Sequence, residues 1–237
     1  MRYLARMVAA YAVAAYLVFL AAVLLMMGFL LGFGPAVIDR GPTGNALTAL
    51  SADLCFIGLF GIAHSVMARA RFKRWLTRWI PANAERSTFV LVASLLLIAT
   101  AFLWRPLPEA IWTVRERWAR LAVTGIAILG WVILIGSTFA IDHFEQFGLR
   151  PALLPPRASI DFVVPLPYRL VRHPQYVGFL LLFWAAPDMT AGRLLFAAGM
   201  TAYILVGVRY EERDLLARFG ERYAEYRRRV RMLLPLP

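Results

Sequence analysis

Cysteine occurs once in this chain of 237 residues, at Cys55, so no disulfide can form within it and no multi-cysteine metal centre can be built. Cys55 lies inside an apolar run and reads as a small core residue. Histidine is nearly as scarce. His64, His143 and His173 are far apart and lack HExxH-type spacing, so zinc would need the fold to gather all three, and no metal is expected. Charge is thin as well, at 17% of residues against 61% hydrophobic, which excludes an ordinary soluble domain. Acidic residues are the scarcer sign: 14 Asp and Glu face 26 Lys and Arg, for a net charge of +12. In a soluble protein that balance would suggest nucleic acid, but basic strands interleaved with aromatics are missing, so no nucleic-acid partner is expected. Basic loops here set membrane topology and grip anionic lipid. Internal repeats and low-complexity segments are also lacking, and the connections are too short for a second core, so residues 1–237 read as one domain.

What is abundant is apolar sequence in long runs. Residues 7–34 exceed both the roughly 20 residues that cross a bilayer and the core of a signal peptide, and so read as a retained first span. Residues 46–67, 88–104 and 121–141 can each cross once more. The last hydrophobic stretch differs. Residues 176–187 precede Pro187-Asp188, and a longer run follows over 193–210, which predicts a helical hairpin that enters and returns. Its first arm rises about 18 Å, short of the roughly 30 Å hydrocarbon core. The fold class is therefore all-α: a polytopic membrane bundle of about four spans plus this hairpin, five to six membrane helices in all. Beyond it, Leu215, Leu216, Phe219, Tyr223, Tyr226 and Val230 recur at three- and four-residue steps between arginines. That pattern predicts amphipathic cytoplasmic helices, broken at Gly220.

With the N-terminus inside, only Arg40, Arg105, Arg115, Arg117, Arg120 and Arg193 fall outside, the orientation that the positive-inside rule favours. The stretch from Pro167 to Gly178 then faces the cytoplasm. Pro174 suits the first position of the hairpin's leading helix, where its fixed φ fits and its missing N–H has no helical partner anyway. Backbone donors at that helix start, beside Arg172, can receive an anion. Gly178 permits close approach to the helix surface, and Tyr168 and Tyr176 offer flat faces with a hydroxyl. Glu211 and Glu212 are adjacent and so point about 100° apart, which turns one of them inward. A fixed inward charge can hold an ammonium, a sulfonium or ribose hydroxyls. The structural alternative is a pair of interfacial carboxylates neutralised by Arg209 or Arg213.

Arg172-His173-Pro174-x-Tyr176-x-Gly178, the Glu211-Glu212 pair and the tail Phe219-Gly220-x-x-Tyr223-x-x-Tyr226 together resemble the signature of the isoprenylcysteine carboxyl methyltransferase and phospholipid methyltransferase superfamily. That resemblance implies S-adenosyl-L-methionine as methyl donor, bound on the cytoplasmic side by residues 165–231, with S-adenosylhomocysteine as product. A wider resemblance includes His64-Ser65-Val66-Met67-Ala68-Arg69, Glu85-Arg86-Ser87, and the run from Ser137 through Asp142-His143 to Leu149. These segments are similar to the bacterial methanethiol S-methyltransferases and their NnrU-like relatives. A small thiol acceptor and a multi-pass protein of the bacterial inner membrane are thereby implied. Carried over by position, Tyr168, Arg172, His173, Pro174, Tyr176, Gly178, Glu211 and Glu212 are the expected cofactor-binding residues.

Methyl transfer from a sulfonium is an in-line displacement, and the attacking species is the thiolate. Alkyl thiols have pKa values at or above about 8.5, so a base helps at neutral pH. His64, Asp142 and His143, at the cytoplasmic ends of the second and fourth spans, are the candidate catalytic residues. Each is equally readable as a hydrogen-bonding tie between spans. A narrow cavity closed by Phe139, Phe144, Phe147 or Trp184 would suit a small thiol, and a long groove would suit a prenylated or lipid acceptor. A non-catalytic NnrU-like protein or a transporter is the reading from another class, although the paired broken helices of a transporter are not found. Apart from thiol and membrane lipid, no obligate protein partner is inferred.

Overall fold

The structure, a computed structural model, describes residues 2–154 and 162–234. Its helices in chain order are α1 (Arg2–Leu31), α2 (Ala46–Ala68), α3 (Ala70–Leu76), α4 (Glu85–Leu103), α5 (Arg117–Ile141), α6 (His143–Gln146), α7 (Leu149–Leu153), α8 (Leu166–Leu170), α9 (Pro174–Trp184), α10 (Ala191–Phe219) and α11 (Glu221–Arg229). A 3-10 turn at Ala82–Ala84 and two short strands, β1 (Ala110–Thr113) and β2 (Asp188–Thr190), complete the described elements. The expected all-α polytopic membrane architecture is found: among the described residues, five helices are long and apolar enough to cross a bilayer. At 11 residues, α9 is the short apolar arm anticipated before Pro187.

Beside an apolar core, the helices bury several polar groups and expose many large apolar ones. Asp53, Ser87, Ser94, Thr100, Ser137 and Thr138 are all buried, whereas Leu54, Leu59, Ile62, Leu129 and Val132 are exposed. Hydrocarbon explains the inversion, because an apolar face loses nothing in lipid while an unsatisfied polar group loses several kcal/mol. The hydroxyls of Thr100, Thr124 and Ser137 accordingly donate to the carbonyls of Leu96, Arg120 and Ile133, one turn back. Cys55 is corrected by the same rule. It is exposed on the outward side of α2, since the packing side carries Asp53, Ile57 and Phe60.

The chain divides into two compact units. In the first, residues 2–108 and 144–154, α1 and α2 pack against α4. Asn45 caps α2 by accepting from the Leu47 and Thr48 N–H groups. Asp53, fully buried, accepts from the Arg105 N–H just beyond the end of α4. The segment after α6 returns to α4, where Ser87 donates to the Gly148 carbonyl at 3.0 Å. Gly148 is required there twice over. Its φ is +84°, and an added Cβ would stand 2.7 Å from the Ser87 nitrogen.

In the second unit, residues 109–143 and 162–234, α5 and α9 run antiparallel through a glycine contact. A Cβ on Gly178 would lie 2.7 Å from the Gly130 carbonyl oxygen and 2.8 Å from the Leu134 nitrogen. The close approach that Gly178 permits is made by α5. The hairpin of α9 and α10 is present, with Phe183 edge-on to Phe196 and the Trp184 indole donating to Thr201. Its turn holds a feature the sequence did not suggest: β2 pairs antiparallel with β1, and Arg120 grips Asp188 through two hydrogen bonds of 2.9 and 2.7 Å. The returning arm also exceeds its expected length. With no proline before Gly220, α10 runs unbroken through Glu211 and Glu212 to Phe219, and only then does Gly220, at φ +56°, start α11.

Gly178→Ala is expected to destabilise the protein by about 2 kcal/mol, because backbone atoms that cannot move aside meet the new methyl. Thermal unfolding in detergent should record a midpoint lower by roughly 4–8 °C. Gly58→Ala, where a Cβ meets nothing within 4 Å, should leave the midpoint unchanged or raise it.

Candidate functional site

The site begins where the chain enters α9. His173, at φ −128° and ψ 67°, turns extended backbone into the helix, and Pro174 takes the first helical position as expected. The long return of α10 brings Glu212 against this corner. Its Oε1 accepts from Arg172 Nε at 2.7 Å and lies 3.2 Å from His173 Nε2, while Oε2 is 3.5 Å from Arg227 Nε. Glu211 points away by the helical angle. The Tyr176 hydroxyl donates to its Oε2 at 2.8 Å, and His173 Nδ1 stands 3.7 Å from the same oxygen. The His173 ring is thus set between two carboxylates and stacked beside Tyr176, with centroids 5.4 Å apart. As expected, one glutamate turns inward: the Glu212 side chain is 10% exposed and that of Glu211 44%. Its partners are Arg172, His173 and Arg227, and not the nearby Arg209 or Arg213.

A C-terminal strap closes over this corner. The backbone N–H groups of Arg172 and His173 donate to the carbonyls of Arg231 and Met232, and Arg172 Nη1 donates to those of Arg227 and Val230. The N–H groups of Arg172 and His173, just ahead of α9, are thus taken by the chain's own carbonyls, and the Arg172 guanidinium is engaged by Glu212 and the strap. Tyr226 anchors the strap's approach by donating to the Tyr168 carbonyl at 2.6 Å. Burial lifts the Tyr226 pKa to about 12; it also raises Tyr168, helped by the charge of Glu211, so both phenols are protonated at neutral pH. Tyr223, 1% exposed, packs edge-on to Phe162, and its buried hydroxyl has no hydrogen-bond partner among the described residues. The periodicity marked Tyr223 and Tyr226 as an amphipathic face; the hydroxyl roles depend on contacts no local pattern encodes.

The candidate bases are placed separately. His64 belongs to the first unit, on the last turns of α2, with its ring 4.7 Å from Phe89 and 5.4 Å from Phe60. The Arg86 guanidinium lies 5.0 Å from the Phe89 ring and donates to the Gln146 carbonyl. His143 belongs to the second unit, 7% exposed, with Nδ1 2.7 Å from the Thr138 hydroxyl and its ring parallel to Phe139 at 4.1 Å. Asp142 caps α5 in extended conformation. Of the four aromatic residues considered for closing the acceptor side, Phe139 stacks on His143. Phe144 and Phe147 face Tyr16 and Phe19 of α1, and Trp184 lies at the hairpin turn. Among the described residues, no three His, Cys, Asp or Glu side chains form a cluster suited to a metal.

Replacing Arg172 by Ala strands Glu212 with one strong partner fewer and cuts the strap's side-chain anchors. A loss of about 3 kcal/mol in stability is expected. Amide hydrogen exchange should also speed up at Arg172 and His173, whose N–H groups the strap protects; unchanged exchange there would refute the strap.

The NnrU protein family matches residues 54–234. Over 96% of this chain, and 95% of the relative, the sequence is 48% identical to methanethiol S-methyltransferase of Mycobacterium tuberculosis. It is 46% identical to methanethiol S-methyltransferase 1 of Bradyrhizobium diazoefficiens, over 95% of this chain and 81% of that one. A more distant likeness, 27% identity over 78% of the chain and 73% of the relative, is to mouse nurim. No solved structure matches. The run of identity through nearly the whole chain, together with the NnrU match, places this polytopic protein in the NnrU family, alongside the methanethiol S-methyltransferases.

Proposed function

We propose that this protein methylates a small thiol, converting methanethiol to dimethyl sulfide with S-adenosyl-L-methionine as donor, at the cytoplasmic face of a bacterial inner membrane. The observation that carries this reading is the meeting of two motif halves at one corner: His173 and Tyr176, opening α9, against Glu211 and Glu212, far along α10. Relatives up to 48% identical that bear the methanethiol S-methyltransferase name support it. On this reading residues 1–237 act as one domain, with the donor part at about 165–231.

The residues present fit such a donor. Glu211 keeps a partly exposed carboxylate for an ammonium or ribose hydroxyls, and the Tyr223 hydroxyl is a buried polar atom with no partner among the described residues. Tyr168 and Tyr176 add aromatic faces beside a cation. When bound, S-adenosyl-L-methionine supplies a methyl group on a positively charged sulfur. What the chain contributes is placement. Glu212, locked by Arg172 and Arg227, holds His173, and His173 with Tyr176 holds Glu211 at a fixed angle. The basic ends of α10 and α11, with Arg218 and Arg227 to Arg229, suit the cytoplasmic side.

A prenylated or lipid acceptor is the second reading. An apolar groove of about 390 Å³ along α5 and α9, lined by Ile126, Val177, Leu181, Trp184 and Leu234, favours it. Purified protein given labelled donor and either methanethiol or a prenylcysteine analogue separates the two. Labelled dimethyl sulfide is expected, and transfer only to the prenylated acceptor would overturn the small-thiol reading. Failure to bind the donor at all would point instead to a non-catalytic or transport role. His173→Ala and Glu212→Ala should each weaken donor binding at least tenfold, about 1.4 kcal/mol, in calorimetric titration. Unchanged affinity in both would remove the site assignment.

A further inference from the structure

The end of α5 carries a short hydrogen-bonded chain that the donor corner does not use. Thr138 Oγ1 lies 2.7 Å from the Ile135 carbonyl oxygen and 2.7 Å from His143 Nδ1. A hydroxyl has one proton, and a carbonyl has none to offer. The Thr138 proton is therefore spent on Ile135, and the contact with His143 needs its proton from the nitrogen. His143 is then the Nδ1–H tautomer, and the lone pair of its neutral ring sits on Nε2. Stacking against Phe139, with the two planes 1° apart, holds the ring so that Nε2 keeps one direction. Burial pulls the His143 pKa below its ordinary value, against a smaller upward pull from Asp142, so the ring is neutral at pH 7.

The other histidine of this unit is differently engaged. Both nitrogens of His173 face carboxylates, Nε2 toward Glu212 and Nδ1 toward Glu211, so both are engaged in holding the corner. The two histidines nonetheless belong to the same end of the unit. Antiparallel packing sets the C-terminal end of α5 beside the N-terminal end of α9, and the Tyr168 hydroxyl reaches the carbonyl of Ser137, the residue before Thr138.

We propose that His143 is the catalytic base, accepting the thiol proton at Nε2, and that Thr138 is the positioning residue that fixes its tautomer. This rests on the thiol methylation proposed above. The S–H bond of the thiol breaks and its proton passes to Nε2. The electron pair left on sulfur forms the new S–C bond, and the old bond from the methyl to the sulfonium breaks with its pair staying on the departing sulfur. One positive charge moves from sulfonium to imidazolium, and water later takes the proton. A thiol with a pKa at or above about 8.5 is mostly protonated at neutral pH, so a neutral imidazole with a directed lone pair supplies what the acceptor lacks.

Nitrogen-15 NMR of histidine-labelled protein, with His143→Gln to assign the signal, reads the tautomer directly. In the wild type, His143 should be protonated at Nδ1 and bare at Nε2, and in Thr138→Val that preference should be lost. In methanethiol turnover, Thr138→Val should lower kcat at least tenfold while donor affinity and the thiol KM stay within about twofold. Thr138→Ser should recover most of the rate, and His143→Gln should lose roughly a hundredfold or more. A wild-type His143 protonated at Nε2, or full turnover by Thr138→Val or His143→Gln in an otherwise active enzyme, would overturn this inference and leave the reaction standing. A wild type that binds the donor but methylates no thiol would overturn the reaction and the base with it.

Discussion

A carboxylate buried beside a membrane helix must find its counter-charges inside the protein, because hydrocarbon offers none. At Glu212 those charges are Arg172, His173 and Arg227, drawn from the entrance to α9 and from α11. One buried charge thus ties together residues 55 apart in sequence, Arg172 and Arg227. The strap follows from the same constraint. Once Arg172 is drawn inward by Glu212, its remaining donors and its backbone N–H meet the carbonyls of the chain's end, and the corner closes. The polar cluster is both the chemical feature of this unit and the lock on its local fold.

Around the lock, close packing does what the hydrophobic effect does in water. Lipid tails are as apolar as leucine, so helices in a membrane associate through backbone approach and shared hydrogen bonds. Gly130 and Gly178 let α5 and α9 touch main chain to main chain, and that contact sets the end of α5 beside the start of α9. Thr138 and His143 reach the site's end of the unit for this reason. At the other end, the β1–β2 pair and the Arg120–Asp188 contact pin the hairpin turn, compensating for an α9 that rises only about 16 Å.

Family membership and geometry divide the functional question between them. Similarity across nearly the full chain sets the protein beside methanethiol S-methyltransferases, and the two-carboxylate corner is where we propose that a cationic donor is held. Another segment, the Thr138–His143 turn, carries a buried histidine whose pKa is pulled below its ordinary value, while the Glu211–Glu212 corner is crowded with charge. A charged corner suits a cation, and a neutral buried imidazole suits a thiol proton.

Much of this was legible in the residues themselves. Long apolar runs dictate membrane helices whatever surrounds them, proline at 174 dictates where a helix begins, glycine at 220 dictates where one ends, and the helical angle dictates that Glu211 and Glu212 diverge. These are local rules, satisfied within a few residues. Other features were decided by neighbours distant in sequence. Which helix Gly178 admits depends on what the fold brings within 2.7 Å of it, and that is Gly130 of α5. Whether Arg172 receives an anion depends on who else reaches it, and Glu212 and the strap arrive first. Cys55 faces outward because Asp53, two residues earlier, must face in. The sequence by itself determined the membrane-crossing helices, their order and the residue types gathered at the candidate site. Only the tertiary structure decided which polar groups satisfy one another, because in a medium without water a buried donor or acceptor can bond only to what the fold brings within about 3 Å.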